Sequence, residues 1–390
     1  MAKFLKPRLF KTSNLEYPLP LDYIPVRPKY FPVERIYLAK GSQSSLERVR
    51  FVERICRLYP GAEIIECLET PHNRIDLGDK DELKRHQRGK HTLVFGEHKS
   101  AVRFSDEEGN ACPNYWHFSP YGFCFYGCKY CYLAGTPSFW HSPAVRIFLN
   151  LEEIMNEIDR AASRRSQPTA FYLGKLQDGL ALDPLTAYST IFVPFFAKHK
   201  FAKQIILTKS AEVERLLQLE HNQHTILSWS VNPPPVSASF EENAPSIDQR
   251  IQAMRKCADK GYPVRAVMMP IIPVGNWEQI YSNFIERLLS SVPLQRLTLG
   301  GICIYQNAKK LMETKLSRKN DLSNNIDPET KLGDGRLRYS ISLRRKMYSH
   351  LIKAARELKP DLELALCLEE TRLWQETGVN NRIGRCNCVL

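Results

Sequence analysis

Cys124, Cys128 and Cys131 sit at spacings of four and three on one short stretch, with an aromatic residue, Tyr130, directly before the last. Three thiolates on one loop can each hold one iron of a cubane 4Fe-4S cluster and leave the fourth iron without a protein ligand. An open iron is what a cluster needs to bind a small molecule and pass an electron into it. The other chemistry open to this group is a zinc knuckle, with His117 or His141 as fourth ligand. Structural zinc usually takes four ligands in two closely spaced pairs, so the ligand count and the aromatic favour the cluster.

More thiols lie elsewhere. The chain ends in a Cys386-Asn-Cys388 tail, and Cys367 stands at a predicted strand end. These three could hold a second metal or cluster, or offer a thiol to a reaction; the plain alternative is a frayed terminus. Cys303 falls at the end of a predicted strand whose last side chains face a cavity, and a buried packing role competes there. Cys56, Cys67 and Cys257 fall in core patterns. Cys112, on a loop, has no role that the sequence assigns.

A chain of 390 residues has room for one large domain with additions, or for two domains. No apolar run approaches the ~20 residues that span a bilayer. The start lacks the apolar core of a secretory signal. Eleven cysteines, odd in number and scattered, argue against a disulfide framework and for a reducing compartment, so a cytoplasmic location is expected. A net charge of +13 favours polyanions, most simply nucleic acid.

The elements that must position the cysteines are legible as patterns. Residues 1–30 are proline-rich and read as an extended arm. Residues 34–67 read as strand, helix, strand, with Ser44 or Ser45 capping the helix. The runs starting at His91 and Ala101 read as a hairpin. From about residue 115, strands at 169–174, 203–208, 225–231, 263–269 and 295–302 alternate with helices at 151–163, 184–199, 210–219, 246–260 and 277–291. With one more strand before Cys124, about six parallel β/α units result. The expected fold class is α/β: a partial (β/α)6 TIM-type barrel with an N-terminal α/β extension and a basic C-terminal extension. The expected domains are 1–110, 111–308 and 309–390. In such barrels chemistry sits at the strands' C-terminal ends, and the cluster loop follows the first strand. Residues 309–346 carry many Lys and Arg, among them Arg336, Arg338, Arg344 and Arg345. They would track phosphates, with Tyr305 and Tyr339 stacking an exposed base, unless the run is simply a solvated surface. A helix from Ser342 to Leu358 and a strand at 362–368 follow.

The spacing C-x3-C-x-aromatic-C resembles that of radical S-adenosylmethionine (SAM) enzymes. From about Phe123 to Leu311 the chain further resembles their spore photoproduct lyase group. The resemblance rests on Cys128-Lys-Tyr130-Cys131-Tyr132-Leu133, on Leu207-Thr-Lys209 followed by Val213–Leu217, on Ser228-Trp-Ser230-Val-Asn232, on Ser246 to Pro270, and on Trp277-Glu278. It implies a 4Fe-4S cluster on Cys124, Cys128 and Cys131, SAM chelated by the open iron, and a 5′-deoxyadenosyl radical that takes hydrogen from a pyrimidine lesion in DNA. It implies that Lys209 and Ser230 touch the SAM carboxylate or ribose. Asn232 would bond ribose or cap the next element, and Asp178 would bind SAM or close a turn. Tyr130 and Tyr132 would relay a radical. A reductant such as flavodoxin or ferredoxin is implied as partner, and no membrane.

Two departures stand out. The family's hydrogen-donating cysteine near the second barrel strand has no counterpart between Leu173 and Asp178. Ile302-Cys303-Ile304-Tyr305 stands where the family has basic residues. Candidate thiols for returning hydrogen are then Cys303, Cys386 and Cys388. The first reading is a radical SAM enzyme on a DNA pyrimidine lesion. The second is the same initiating chemistry on RNA, a peptide or a metabolite. The third is a non-enzymatic zinc nucleic-acid binder.

Overall fold

The computed structural model describes residues 18–331, 333, 335–379 and 382–390. The first 17 residues of the expected arm lie outside them. In chain order the early strands are β1 (Arg35–Leu38), β2 (Glu63–Glu66), β3 (Thr92–Gly96), β4 (Val102–Ser105), β5 (Tyr115–Phe118), β6 (Tyr121–Gly122), β7 (Gly127–Cys128) and β8 (Val145–Phe148). The first sheet runs β2-β1-β3-β8-β6, parallel except for β6. The helix Leu46–Cys56, capped by Ser45, packs Phe51, Val52 and Ile55 into the core.

The expected hairpin does not form. β3 pairs in parallel with β1 and β8, while β4 pairs antiparallel with β5 in another sheet. Burial explains the split. All five residues of β3 are buried, which requires neighbours on both edges and cover on both faces. β4 is largely exposed, which suits an edge. Two short alternating runs carry no signal about which sheet each joins. Val145–Phe148 likewise belongs to the first sheet, although it lies beyond the cluster loop.

The later strands are β9 (Thr169–Leu173), β10 (Ala202–Thr208), β11 (Thr225–Ser230), β12 (Glu241–Glu242), β13 (Val264–Met268), β14 (Arg296–Leu299), β15 (Cys303–Ile304), β16 (Ile326–Lys331), β17 (Leu337–Tyr339) and β18 (Glu363–Leu366). The second sheet runs β18-β14-β13-β11-β10-β9-β5-β4, parallel from β18 to β5. The six expected barrel strands are there in sequential order, and β18 extends the sheet beside β14. The fold is the expected partial α/β barrel.

The helix Ile247–Asp259 opens on a capping box between Ser246 and Gln249, and Leu151–Arg165 and Trp277–Ser291 bury their apolar stripes on the sheet. Two helical expectations fail. The segment 184–199 breaks into Asp183–Thr186 and Ser189–Lys198, parted by Ala187 at φ 52°. At 210–219 only a turn of 3-10 helix forms, Leu216–Gln218. There the side chains of Thr208 and Ser210 accept from the backbone N–H groups of Ser210 and Glu212, and the Ser210 carbonyl accepts from the Trp229 ring, which draws the backbone out of a helical ladder.

The C-terminal tail is tied into the barrel. Arg265 donates to the carbonyls of Asn387 (3.2 Å) and Val389 (2.8 Å). Arg296 donates to those of Cys386 (2.7 Å) and Val389 (2.9 Å), and Ser228 Oγ to Asn387 Oδ1 (2.8 Å). Cys388, Val389 and Leu390 pack on Tyr115, Tyr172, Ile205 and Ile226. No helix among the described residues is long and apolar enough to cross a membrane.

Candidate active site

The loop after β6 carries the three cysteines. Phe123 turns it with φ 64°, and Lys90 Nζ donates to the carbonyls of Cys124 (2.5 Å) and Tyr126 (2.7 Å). β7 then pairs antiparallel with β12, setting Cys128 opposite Glu241. Glu241 is a hub that the sequence did not single out. It forms an ion pair with Arg250 at 2.6 Å, with neither side chain exposed, and accepts from Tyr130 Oη and from Ser237 Oγ (2.9 Å). Arg250 in turn donates to the carbonyls of Pro245 and Ser230. One buried pair thus ties the cysteine loop to the end of β11.

All three cysteines are free and half-buried, and they line one cavity of about 450 Å³ with Tyr130 and Tyr132. From the strand ends Asp178, Lys209 and Ser230 reach the same cavity. Asn232 does not. It is fully buried, with Oδ1 accepting from Tyr281 at 3.0 Å and Nδ2 unpartnered. The Asp178 carboxylate is already occupied. It accepts from Thr208 Oγ1 (2.6 Å) and from the backbone N–H groups of Leu180, Ala181 and Lys209, so it closes the β9 and β10 loops. Gly174, at φ +151°, lets this loop pass Leu207, where a Cβ would come within 2.7 Å of the leucine Cβ. Burial opposes the charge of Lys209, but Cys128 and Glu241 outweigh it and hold the ammonium above its usual pKa. Burial pushes the Cys128 thiol up to about 11.

The cavity gathers more thiols than the cluster motif supplies. Cys112, Cys303, Cys367, Cys386 and Cys388 all line it. The neighbouring thiols of Cys112 and Cys388 lower Cys386 below the usual thiol range, while Cys386 and burial raise Cys388 above it. The tail is therefore a built wall of the cavity and not a frayed end. Cys112 escaped the sequence because its loop meets the tail only in three dimensions. Among the described residues no group of three or more His, Cys, Asp or Glu converges on a single metal-ion position. The second metal expected at Cys367, Cys386 and Cys388 has no such preset geometry. A cubane differs from a single ion in that each thiol serves a separate iron.

Part of the basic stretch is a correction. Arg336, Arg338 and Arg344 are buried, and Tyr339 is fully enclosed. Arg336 pairs with Glu107 at 2.7 Å, and Glu107 also accepts from Lys175 at 2.8 Å. Arg338 and Arg344 share Glu369 and Glu370, and Arg345 pairs with Glu376. Arg338 and Arg344, both 1% exposed, hold the C-terminal region together and are closed to a phosphate backbone, while Arg336 also lines the cysteine cavity. Their charge density in the sequence looked like a surface because the acidic partners lie far along the chain. Arg344→Met should therefore lower the unfolding free energy by about 3 kcal/mol, since buried carboxylates lose a partner. Chemical denaturation should show the loss. An unchanged midpoint would refute a structural role.

The family model for spore photoproduct lyase matches residues 48–355. A spore photoproduct lyase of Bacillus subtilis (strain 168) is 30% identical over 236 residues, which is 60% of this chain and 66% of that protein. One of Geobacillus sp. (strain Y412MC61) is 31% identical over 244 residues, covering 61% and 69%. The aligned stretch thus spans about two thirds of those relatives. The solved spore photoproduct lyase complexed with dinucleoside spore photoproduct superposes with a TM-score of 0.74 at 23% identity, over 87% of this chain and 99% of that one. A double mutant with bound AdoMet and dinucleoside spore photoproduct gives 0.74 at 23%, over 88% and 100%. At such identity these structures speak for the fold. The match of the family model over most of the chain goes further: the chain belongs to the spore photoproduct lyase family of radical SAM proteins.

Proposed function

We propose that this chain is a radical SAM enzyme that begins hydrogen abstraction on a pyrimidine lesion in DNA and returns hydrogen from a tail thiol. The observation that carries this reading is the shared cavity: the three loop cysteines, Lys209, Ser230 and the tail thiols face one space at the strand ends. The donor set fits a 4Fe-4S cluster, with three free thiols on one loop and none spent in a disulfide. Cys124, Cys128 and Cys131 would hold it, and cluster and SAM together supply a 5′-deoxyadenosyl radical. A flavodoxin or ferredoxin supplies the electron.

The protein's own part is positional. Lys209 presents a buried ammonium to the carboxylate of SAM, and Ser230 a hydroxyl to its ribose. Tyr130 is locked by Glu241 and walls the cavity beside Cys131. Tyr132, bonded to the Lys175 carbonyl, lines the same cavity. The lesion is drawn from curated relatives named spore photoproduct lyase and a solved neighbour complexed with the dinucleoside photoproduct. A flipped-out base is the form in which DNA can enter such a cavity. The test is anaerobic incubation of the reduced protein with SAM and deuterated dinucleoside photoproduct. Deuterium in 5′-deoxyadenosine supports the reading. SAM cleavage without transfer from the photoproduct would reject this substrate. Burial of Arg338 and Arg344 removes one expected DNA contact, which favours a non-DNA substrate as the second reading.

The strand end from Leu173 to Asp178 offers no thiol, so the hydrogen must come from elsewhere. Cys388 is the best placed: it lines the cavity, and burial with Cys386 beside it raises its thiol well above the usual range, so it keeps its proton. Its S–H bond breaks as a C–H bond forms on the product radical, leaving the odd electron on sulfur. Cys388→Ala should leave SAM cleavage intact but divert the product to side products. Cys303→Ala is the control. Wild-type product ratios in Cys388→Ala, with diversion in Cys303→Ala, would move the role to the strand.

A further inference from the structure

A second cavity, of about 390 Å³, lies at the carboxyl ends of β1, β3 and β8, away from the cysteine loop except at Leu176, which lines both. Its position has a reason in the topology. The chain runs from β1 to β2 on one side and returns to β3 on the other, so the strand order reverses between β1 and β3. Loops leaving parallel strands diverge at such a reversal and open a crevice that commonly takes a ligand. Here the crevice is lined by Lys40 after β1 and by Glu97, His98 and Lys99 after β3.

The chemistry of the lining is one-sided. Lys40, Lys99, Arg103 and Arg146 bring four cations, and the acid Glu97 is already paired with Arg48. Arg146 is decisive. It is 2% exposed; its guanidinium lies over the Phe139 ring, 5.0 Å from the centroid, and donates to the carbonyls of His72 (3.2 Å) and Ser142 (2.5 Å). No carboxylate lies within ion-pair distance of it among the described residues. A buried cation without a counter-ion costs several kcal/mol, and folds rarely retain one unless an anion completes it. Two further polar atoms are left open: Ser119 Oγ, on a residue 1% exposed, and His72 Nδ1. Burial, with the Arg146 and Arg103 guanidinium groups, depresses His72 to about 3 and His98 to about 4, so both rings are neutral donors near pH 7. Phe139, Phe148 and Tyr121 supply flat apolar walls.

We propose that this crevice binds the phosphate of a nucleotide, with Arg146 and Ser119 on the phosphate, Lys99 and Arg103 at the rim, and the aromatic walls against the base. Guanidinium on phosphate is a strong charge-assisted pair, and burial strengthens it. Such a phosphate has two sources, a free nucleotide or the end of a DNA strand.

Calorimetric titration of the full chain separates them, because it needs neither SAM nor turnover. The probes are inorganic phosphate, thymidine 5′-monophosphate, and one oligonucleotide with and without a 5′-phosphate. Saturable binding of the monophosphate, competed by inorganic phosphate, is the expected result for a free nucleotide. Binding of the phosphorylated oligonucleotide alone assigns the site to a strand end. In either case Lys99→Ala with Arg103→Ala, both on exposed positions, should weaken binding roughly tenfold or more with the melting temperature unchanged. Arg146→Met should abolish it. No binding of any probe at about 10 mM, or binding that both variants leave intact, overturns the proposal.

Discussion

Replacing Cys124, Cys128 or Cys131 by alanine is expected to remove iron and SAM cleavage together. Each thiolate holds one iron of the cubane, so no partial site survives the loss of one. The loop itself carries no fourth cysteine to replace a lost ligand. Colour and iron content after anaerobic reconstitution read the first half, and release of 5′-deoxyadenosine the second. The fold should hold, because all three side chains are only half-buried and lie at the strand ends, Cys128 in the short β7–β12 pair and none in the two large sheets. A variant that keeps its iron yet fails to cleave SAM would put that cysteine outside the ligand set. A triple variant that still cleaves SAM would end the cluster assignment.

Glu241→Ala is expected to cost about 3–5 kcal/mol of stability, the range for stranding one member of a buried pair. Arg250 would be left with its guanidinium enclosed and its carboxylate gone. Tyr130 and Ser237 would lose their acceptor as well. The damage should reach the cluster. Glu241 lies opposite Cys128 in the β7–β12 pair, so slackening it frees the loop that carries the thiols. Expected readouts are a lower denaturation midpoint and less iron per folded chain. Glu241→Gln keeps the shape and the Ser237 contact, and should fall between alanine and wild type. A wild-type midpoint and iron content in Glu241→Ala would show that the pair is not a strut.

Much of the site was legible because its parts are local in sequence. The cysteine spacing needs no tertiary information: three thiols on one loop are a ligand set for three irons of a cubane. The barrel was legible for a similar reason, since short apolar strands alternating with amphipathic helices have few other ways to bury both. Lys209 and Ser230 were placed on the rim by the rule that strand ends carry chemistry, and both line the cavity. Asn232, given by the resemblance alone, does not line the cavity, because Tyr281 from a later helix holds its side chain in the core.

Tertiary structure alone decided the rest. The thiol wall depends on a tail that meets β11 through Ser228 and Asn387, 159 residues apart. No periodicity encodes that contact, so Cys386 and Cys388 looked no different from a loose end. Arg336, Arg338 and Arg344 read as surface charge because burial depends on Glu107, Glu369 and Glu370, none of which lies within helical reach. The two runs at 91–105 looked like one hairpin, since alternation fixes that a strand exists and not which neighbour it takes. The sequence therefore settled the cluster loop and the class of fold. Which thiols, cations and carboxylates share a space was settled by long-range packing, where the energy of a contact depends on burial that no local pattern reports.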